Sequence, residues 1–157
     1  MSDWKTPLRL VEQLDKKGNI HEKGLKKLVS AVGEASELGD NLGCSEFIAF
    51  ATSAVRDASN TDTVLAHVKQ ATGVDVEVLS GVDESRLTAL AVRRWYGWSV
   101  GRVLNIDIGG GSLEMSNGVD EEPDVALSLP LGAGRITREW LPDDPPGRRR
   151  VAMLRDW

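Results

Sequence analysis

The spacing of hydrophobic positions changes repeatedly along the first hundred residues. Strands are predicted over residues 4–11, 47–51 and 74–78, and helices are predicted to begin at Gly24, Asn60 and Asp83. The continuous apolar run at 47–51 is typical of a strand buried on both faces, whereas residues 74–78 alternate and should keep one polar face. Strands that alternate with helices predict an α/β fold built on a parallel sheet.

After Gly97 the pattern changes to short strands joined by turns rich in Gly, Asp and Pro. Strands are predicted over residues 103–108, 113–117 and 125–129, followed by a helix over 133–140 and the start of another at 148–157. We therefore place a lobe boundary in this region, with lobes at 1–98 and 99–157. The aromatic side chains Trp95, Tyr96 and Trp98 are expected to pack at that boundary.

Composition narrows the class of protein. The 157 residues are 41% hydrophobic and 27% charged, which is typical of a globular chain. The longest uncharged stretch, residues 47–55, is too short to cross a bilayer, so no membrane partner is expected. A net charge of −5 argues against duplex nucleic acid. The single cysteine, Cys44, cannot form an internal disulfide and favours a reducing cytoplasm.

The strongest local signal is the segment 107–114, DIGGGSLE. Consecutive glycines allow a backbone to approach a ligand closely and to present N–H groups to an anion. If Gly110 and Gly111 form a two-residue hairpin turn, Asp107 lies opposite Glu114, and a cation such as Mg²⁺ is needed between the two carboxylates. A three-residue loop would put them on opposite faces. Phosphate or metal binding and an ordinary glycine-rich hairpin are about equally supported here.

Two further polar segments follow predicted strands. Residues 51–57, ATSAVRD, offer hydroxyls and Arg56 at the carboxyl end of a strand, where an oxyanion could bind. From these residues alone, helix capping by Thr52 or Ser53 with Arg56 on the surface is the favoured explanation. Residues 80–86, SGVDESR, place two acids in the first turn of a helix. Acids there usually offset the helix dipole; the alternative is a general base directed at water.

Four segments, in this order, resemble the Ppx/GppA family of exopolyphosphatases and guanosine pentaphosphate phosphohydrolases. They are FATSAVRDASN at 50–60, LSGVDESRL at 79–87, DIGGGSLE at 107–114 and SLPLGAGR at 128–135. The run RRWYGW at 93–98 is similar to the actinobacterial branch. The resemblance implies an actin-like fold with two ribonuclease-H-like lobes that face a cleft.

The resemblance also implies roles for individual residues. Glu84 would be the general base that activates water, and Asp107 and Glu114 would hold Mg²⁺. The loop that would bind phosphate consists of Gly109, Gly110, Gly111 and Ser112. Arg56 would bind a phosphate of the polyphosphate chain. The reaction would release terminal orthophosphate from inorganic polyphosphate.

Several departures from the family pattern qualify this expectation. Asp83 and Ser85 stand where the family usually has Glu and Ala. The first phosphate loop of the family has no counterpart here, and residue 157 falls within the second lobe. The expectation is therefore a truncated chain with an incomplete first lobe and the start of a second, marginally stable or homodimeric. Guanosine pentaphosphate hydrolysis and non-catalytic binding of polyphosphate or nucleotide remain the alternatives.

Overall fold

The structure, a computed structural model, describes residues 3–157. The chain divides into two compact units, one that ends at Leu79 and one that begins at Ser80. Helix Gly81–Tyr96 thus belongs to the second unit by its contacts. The division at Leu79 measures how compact each segment is and does not test the predicted lobes. The lobes 1–98 and 99–157 therefore stay a prediction.

The first unit is a two-stranded parallel sheet with helices packed around it. Its elements are the 3₁₀ helix Leu10–Gln13, α1 (Glu22–Asn41), β1 (Ala49–Ala51), α2 (Ser53–Arg56), α3 (Thr61–Thr72) and β2 (Val76–Val78). Strands β1 and β2 pair in parallel, with Phe50 opposite Glu77. Val64 and Val68, one helical turn apart on α3, are fully buried and pack with Leu28 of α1. The predicted parallel pairing is confirmed.

Two expectations for this unit are wrong. Residues 4–9 form no strand, and residues 10–13 form a 3₁₀ helix in place of one. The strand predicted at 47–51 is shorter, and it is not buried on both faces, because Ile48 and Phe50 are 60% and 49% exposed. The apolar run predicted the strand correctly, but burial depends on neighbouring elements that hydrophobicity alone does not reveal.

The turn that precedes α1 is closed by Asp15. Its carboxylate accepts hydrogen bonds from the backbone N–H groups of Lys17 and Asn19 and from the Asn19 side chain. These bonds, led by that of the Asn19 backbone, hold the pKa of Asp15 below its ordinary value because they favour the charged form. Residues 15–19, which sequence analysis did not assign to a helix or strand, thus form an ordered turn.

The second unit is an antiparallel sheet with one helix across a face. Its elements are α4 (Gly81–Tyr96), the 3₁₀ helix Trp98–Val100, β3 (Val103–Ile108), β4 (Leu113–Gly118), β5 (Val125–Leu129), α5 (Ala133–Trp140) and α6 (Arg148–Asp156). The strand order is β3-β4-β5, and α4 packs against all three strands. All three strands predicted here are confirmed, two of them with the same bounds.

The face of the sheet that α4 covers is polar. On α4 the buried residues are Ser85 and Arg93, and on β4 they are Glu114 and Ser116. The spacing of the apolar residues on this helix predicts a buried stripe made of Leu87, Leu90, Ala91 and Trp95. This prediction is wrong, because Leu87 is 45% exposed and Trp95 is 83% exposed. Tyr96 and Trp98 are also exposed rather than packed. Burial of polar groups costs free energy unless they are hydrogen-bonded, and Ser85, Arg93 and Glu114 each take part in a hydrogen bond.

Among the helices of residues 3–157, none combines the length and the hydrophobicity that crossing a lipid bilayer would require.

Candidate active site

The start of α4 separates the two acids that sequence analysis could not tell apart. Ser80 caps the helix: its hydroxyl accepts from the backbone N–H of Asp83 at 3.1 Å and donates to the Asp83 carboxylate at 2.6 Å. Asp83 is therefore committed to the helix cap. Glu84, the other acid of this turn, is half-buried, and both hydrogen bonds of the Ser80 hydroxyl are with Asp83.

Ser85 fixes where Glu84 lies along the sheet. The Ser85 side chain is completely buried, and its hydroxyl donates to the carbonyl of Met115 at 2.9 Å. Glu84 precedes Ser85 in the chain, and Glu114 precedes Met115 in β4. The bond between Ser85 and Met115 therefore brings Glu84 and Glu114 into one region of the second unit. The serine that departs from the family pattern thus has a defined role in docking α4 onto β4.

The hairpin between β3 and β4 has the two-residue form. The strands pair Ile108 with Leu113 and Asp107 with Glu114, and the N–H of Gly109 donates to the carbonyl of Ser112 at 3.0 Å. Gly110 and Gly111 remain as the turn. Directly opposed residues of an antiparallel pair share a face of the sheet, so the two carboxylates lie on the same side. Of the two loop lengths that the sequence allows, the structure therefore has the two-residue turn and not the three-residue loop.

Glu114 is a buried acid with little to balance its charge. It is 1% exposed, and its carboxylate accepts one hydrogen bond, from the Ser128 hydroxyl at 2.7 Å. Within residues 3–157, neither Glu114 nor Asp107 takes part in an ion pair. An isolated buried carboxylate is costly unless a cation accompanies it. The pair therefore fits a cation such as Mg²⁺.

The described residues contain no group of three or more acid, His or Cys side chains that could hold a metal by themselves. This is compatible with Mg²⁺, which is usually bound by one or two carboxylates together with water and substrate phosphates.

The glycine loop is held from one side by the start of α5. The carbonyl of Gly109 accepts from the N–H of Ala133 at 2.9 Å, and that of Gly110 accepts from the N–H of Arg135 at 3.0 Å. The carbonyl of Gly111 accepts from the Arg135 side chain, through Nε at 2.8 Å. All three carbonyls thus point toward α5.

Trans peptide geometry then fixes where the N–H groups point. The cis peptide bond of the described chain is at Asp144–Pro145, so the loop peptides are trans, and each N–H points opposite to the preceding carbonyl. The N–H groups of Gly110, Gly111 and Ser112 therefore face away from α5. They have no hydrogen-bond partner among residues 3–157. Three such donors on one side form a nest for an anion.

Ser112 adds an unsatisfied hydroxyl to this nest. The residue is 3% exposed, and its Oγ is buried without a hydrogen-bond partner among the described residues. Buried polar atoms of native proteins are nearly always paired, so an orphan at this position is consistent with a ligand oxygen as its partner.

Gly132 and Arg135 are the residues that sequence reasoning left without a role. The motif 128–135 was noticed, but nothing assigned a function to its members. A Cβ on Gly132 would lie 2.4 Å from the backbone of Gly111 and Ser112, so only glycine permits this contact. A signal was available in the two glycines Gly132 and Gly134, because glycine has a low helix propensity and yet stands at the start of a predicted helix.

Arg56 lies in the first unit, whereas the glycine loop and its carboxylates lie in the second. It ends α2, directly after β1, and its side chain is 20% exposed. The guanidinium donates to the carbonyl of Leu79 at 3.1 Å and to the Asp57 carboxylate at 3.3 Å. The structure places it at the carboxyl end of a strand as expected, and its role in phosphate binding stays a prediction.

Comparison with known proteins identifies the family. The sequence profile described as the Ppx/GppA phosphatase family matches residues 1–157. A similar relative is Exopolyphosphatase 1 of Mycobacterium leprae, which is 68% identical over 157 residues, all of this chain and 46% of that protein. The chain belongs to the Ppx/GppA phosphatase family, and it spans about half the length of the curated relatives it matches.

Solved structures agree with this assignment. An exopolyphosphatase from Cytophaga hutchinsonii superposes with a TM-score of 0.81 at 28% identity, over 89% of this chain and 45% of that one. The Aquifex aeolicus member of the Ppx/GppA family gives a TM-score of 0.71 at 29% identity, over 92% of this chain and 47% of that one. The predictions of the family and of an actin-like α/β fold are confirmed.

Proposed function

We propose that the protein is a hydrolase of the exopolyphosphatase type, which releases orthophosphate from the end of inorganic polyphosphate. The observation that carries the proposal is the glycine loop. Its three N–H groups, which have no partner among residues 3–157, adjoin in sequence the carboxylates of Asp107 and the buried Glu114. N–H donors suit the oxygens of a phosphate, and carboxylates suit a cation that accompanies it. The names of the mycobacterial relatives support polyphosphate as the substrate.

Each site residue has a distinct role in this reaction. Glu84 accepts a proton from the attacking water, whose oxygen forms a bond to the terminal phosphorus. The bond from that phosphorus to the bridging oxygen breaks, and the shortened chain leaves with the bridging oxygen. The N–H groups of Gly110, Gly111 and Ser112 stabilise the charge that develops on the phosphoryl oxygens. Arg56, in the first unit, offers a guanidinium that suits a phosphate of the polyphosphate.

Asp107 and Glu114 would hold a divalent metal ion, Mg²⁺. When bound, this ion neutralises phosphate charge beside the loop. The buried carboxylate of Glu114 fits such an ion because its charge has no other counterpart among the described residues.

The related substrate, guanosine pentaphosphate, presents the same terminal phosphate chemistry and is the alternative within the family. A second alternative is a chain that binds polyphosphate without hydrolysing it. We also propose a cytoplasmic location, in keeping with the single Cys44, and association of copies into a homodimer.

Substitution of the general base tests the reaction. Phosphate release by the 157-residue chain from polyphosphate and from guanosine pentaphosphate is measured with Mg²⁺ present, for the wild type and Glu84→Gln. General base catalysis typically contributes about 10² to 10⁴-fold, so the variant should lose that much turnover while it keeps its affinity for polyphosphate. Glu77→Gln, the same chemical change at an exposed position of β2, is the matched control.

Equal turnover in Glu84→Gln and the wild type would remove Glu84 from the mechanism. Binding of polyphosphate without any release by the folded wild type would favour the non-catalytic alternative. Faster release from guanosine pentaphosphate than from polyphosphate would favour the nucleotide substrate.

A further inference from the structure

Arg135 contacts the glycine loop in two different ways. Its backbone N–H donates to the carbonyl of Gly110 at 3.0 Å, and its side-chain Nε donates to the carbonyl of Gly111 at 2.8 Å. The first bond, together with that of Ala133 to Gly109, already docks the start of α5 onto the loop. The Nε bond adds a side-chain contact to the carbonyl of one loop peptide, Gly111–Ser112.

The direction of that peptide sets one of the three N–H donors of the anion nest. Glycine adopts a much wider range of backbone angles than other residues, so three consecutive glycines do not fix a loop by themselves. If the Gly111–Ser112 peptide turned over, the Ser112 N–H would leave the nest and a carbonyl oxygen would enter it. A carbonyl there would repel phosphate oxygens. A hydrogen bond from a charged donor to the Gly111 carbonyl opposes this rotation.

We propose that Arg135 is a positioning residue, which keeps the Ser112 N–H directed at the phosphate by binding the carbonyl of the same peptide. The inference rests on the proposed function for its catalytic consequence. Arg135 is half-buried on the α5 side of the loop, and the N–H groups point to the opposite side. Arg135 thus acts through the backbone of the loop.

The test compares Arg135→Gln, Arg135→Lys and a control, Arg138→Gln. Arg138 is an exposed arginine on the same helix that pairs with its neighbour Glu139 at 3.0 Å, so its substitution removes the same charge and leaves the Nε bond of Arg135 to Gly111 in place. Two quantities are measured on the 157-residue chain: steady-state phosphate release from polyphosphate, and the amide signals of Gly110, Gly111 and Ser112 in ¹⁵N-labelled protein with and without inorganic phosphate.

Loss of one preorganised donor costs about 10² to 10³-fold in kcat, and a misdirected donor should cost part of that, about 10 to 100-fold, in Arg135→Gln. KM should change far less, because the donor acts mainly on charge that develops in the transition state. Lysine keeps a charged donor and should restore part of the loss. In Arg135→Gln the Ser112 amide signal should shift and lose its response to phosphate, whereas in Arg138→Gln both should match the wild type.

A wild-type kcat together with a wild-type Ser112 response in Arg135→Gln would overturn the proposal. So would a large fall in melting temperature that lysine does not restore, since the side chain would then anchor the fold. Failure of the proposed function has a different signature: the wild type itself would release no phosphate. The Ser112 signal would still report, without any activity, whether Arg135 sets the direction of that amide.

Discussion

At the scale of single residues, Glu114 carries the strongest expectation about a ligand. A carboxylate that is 1% exposed and accepts one hydrogen bond raises the free energy of the metal-free protein. Glutamine keeps the shape and still offers an oxygen to the Ser128 hydroxyl, but it removes the charge. The residue therefore sets two quantities that respond oppositely to substitution: stability without metal, and the gain of stability on metal binding.

We predict that Glu114→Gln leaves the metal-free chain at least as stable as the wild type and abolishes stabilisation by Mg²⁺. Mg²⁺ at a hundred times its dissociation constant should stabilise the wild type by about 2.7 kcal/mol, and the variant by much less. Thermal melts with and without Mg²⁺ measure both values, with Glu77→Gln as the control. An equal effect of Mg²⁺ on wild type and Glu114→Gln would place the metal elsewhere.

The role of a residue could be predicted from the sequence where it depends on residues only a few positions away. The opposition of Asp107 and Glu114 follows from a two-residue turn, and their candidate metal role follows from that opposition. The choice between Asp83 and Glu84 was made by resemblance, because both acids suit a first helical turn. The structure separates them through the Ser80 cap. The spacing of Ser80 and Asp83 is that of a capping box, a pattern that sequence analysis did not apply to this helix.

At the scale of elements, the glycine loop and the start of α5 form one assembly. Gly132 lies so close to the loop that a Cβ would approach Gly111 and Ser112 to 2.4 Å. Gly147 is a suitable control position. Gly132 and Gly147 each stand directly before a helix, with φ of −64° and −63°, but a Cβ on Gly147 would meet nothing within 4 Å. The two positions share the same cap chemistry and differ in what surrounds them.

Gly132→Ala should therefore destabilise the chain by about 1 to 3 kcal/mol through overpacking, whereas Gly147→Ala should stay within about 0.5 kcal/mol of the wild type. Phosphate release should fall in the first variant and not in the second. Urea unfolding and the release assay measure the two effects. Equal stability and equal activity of both variants would show that the loop tolerates displacement from α5.

Element type was predictable here and element burial was not. Local spacing predicted the three strands of the second unit, because alternation and turn residues are encoded within a few positions. The buried face of α4 was mispredicted, because hydrophobic spacing indicated Leu87 and Trp95 while the sheet accepts Ser85 and Arg93. Hydrophobic spacing predicts the buried side of a helix only if apolar residues face its neighbour. Helix α4 instead packs on a polar face of the sheet, and such exceptions concentrate at functional sites.

At the scale of the whole molecule, the second sheet exposes its apolar face. The face consists of β3 and β5 side chains that are 38% to 63% exposed, namely Leu104, Ile106, Ile108, Val125 and Leu129. β3 is also an edge strand, with backbone groups available for pairing. An apolar surface that is continuous across a sheet, with an open edge beside it, favours association of copies.

We predict that the 157-residue chain self-associates in a concentration-dependent manner and that Ile106→Lys reduces this association. Lysine at the middle of the face places a charge where a second copy would remove water, and charges of this kind protect natural sheet edges. Sedimentation velocity over a range of protein concentrations measures the effect. Leu42→Lys, at an exposed leucine just after α1, introduces the same charge outside the face and should leave association unchanged. A monomer mass at every concentration, with a single sharp unfolding transition at high temperature, would contradict both the predicted association and the expectation of marginal stability.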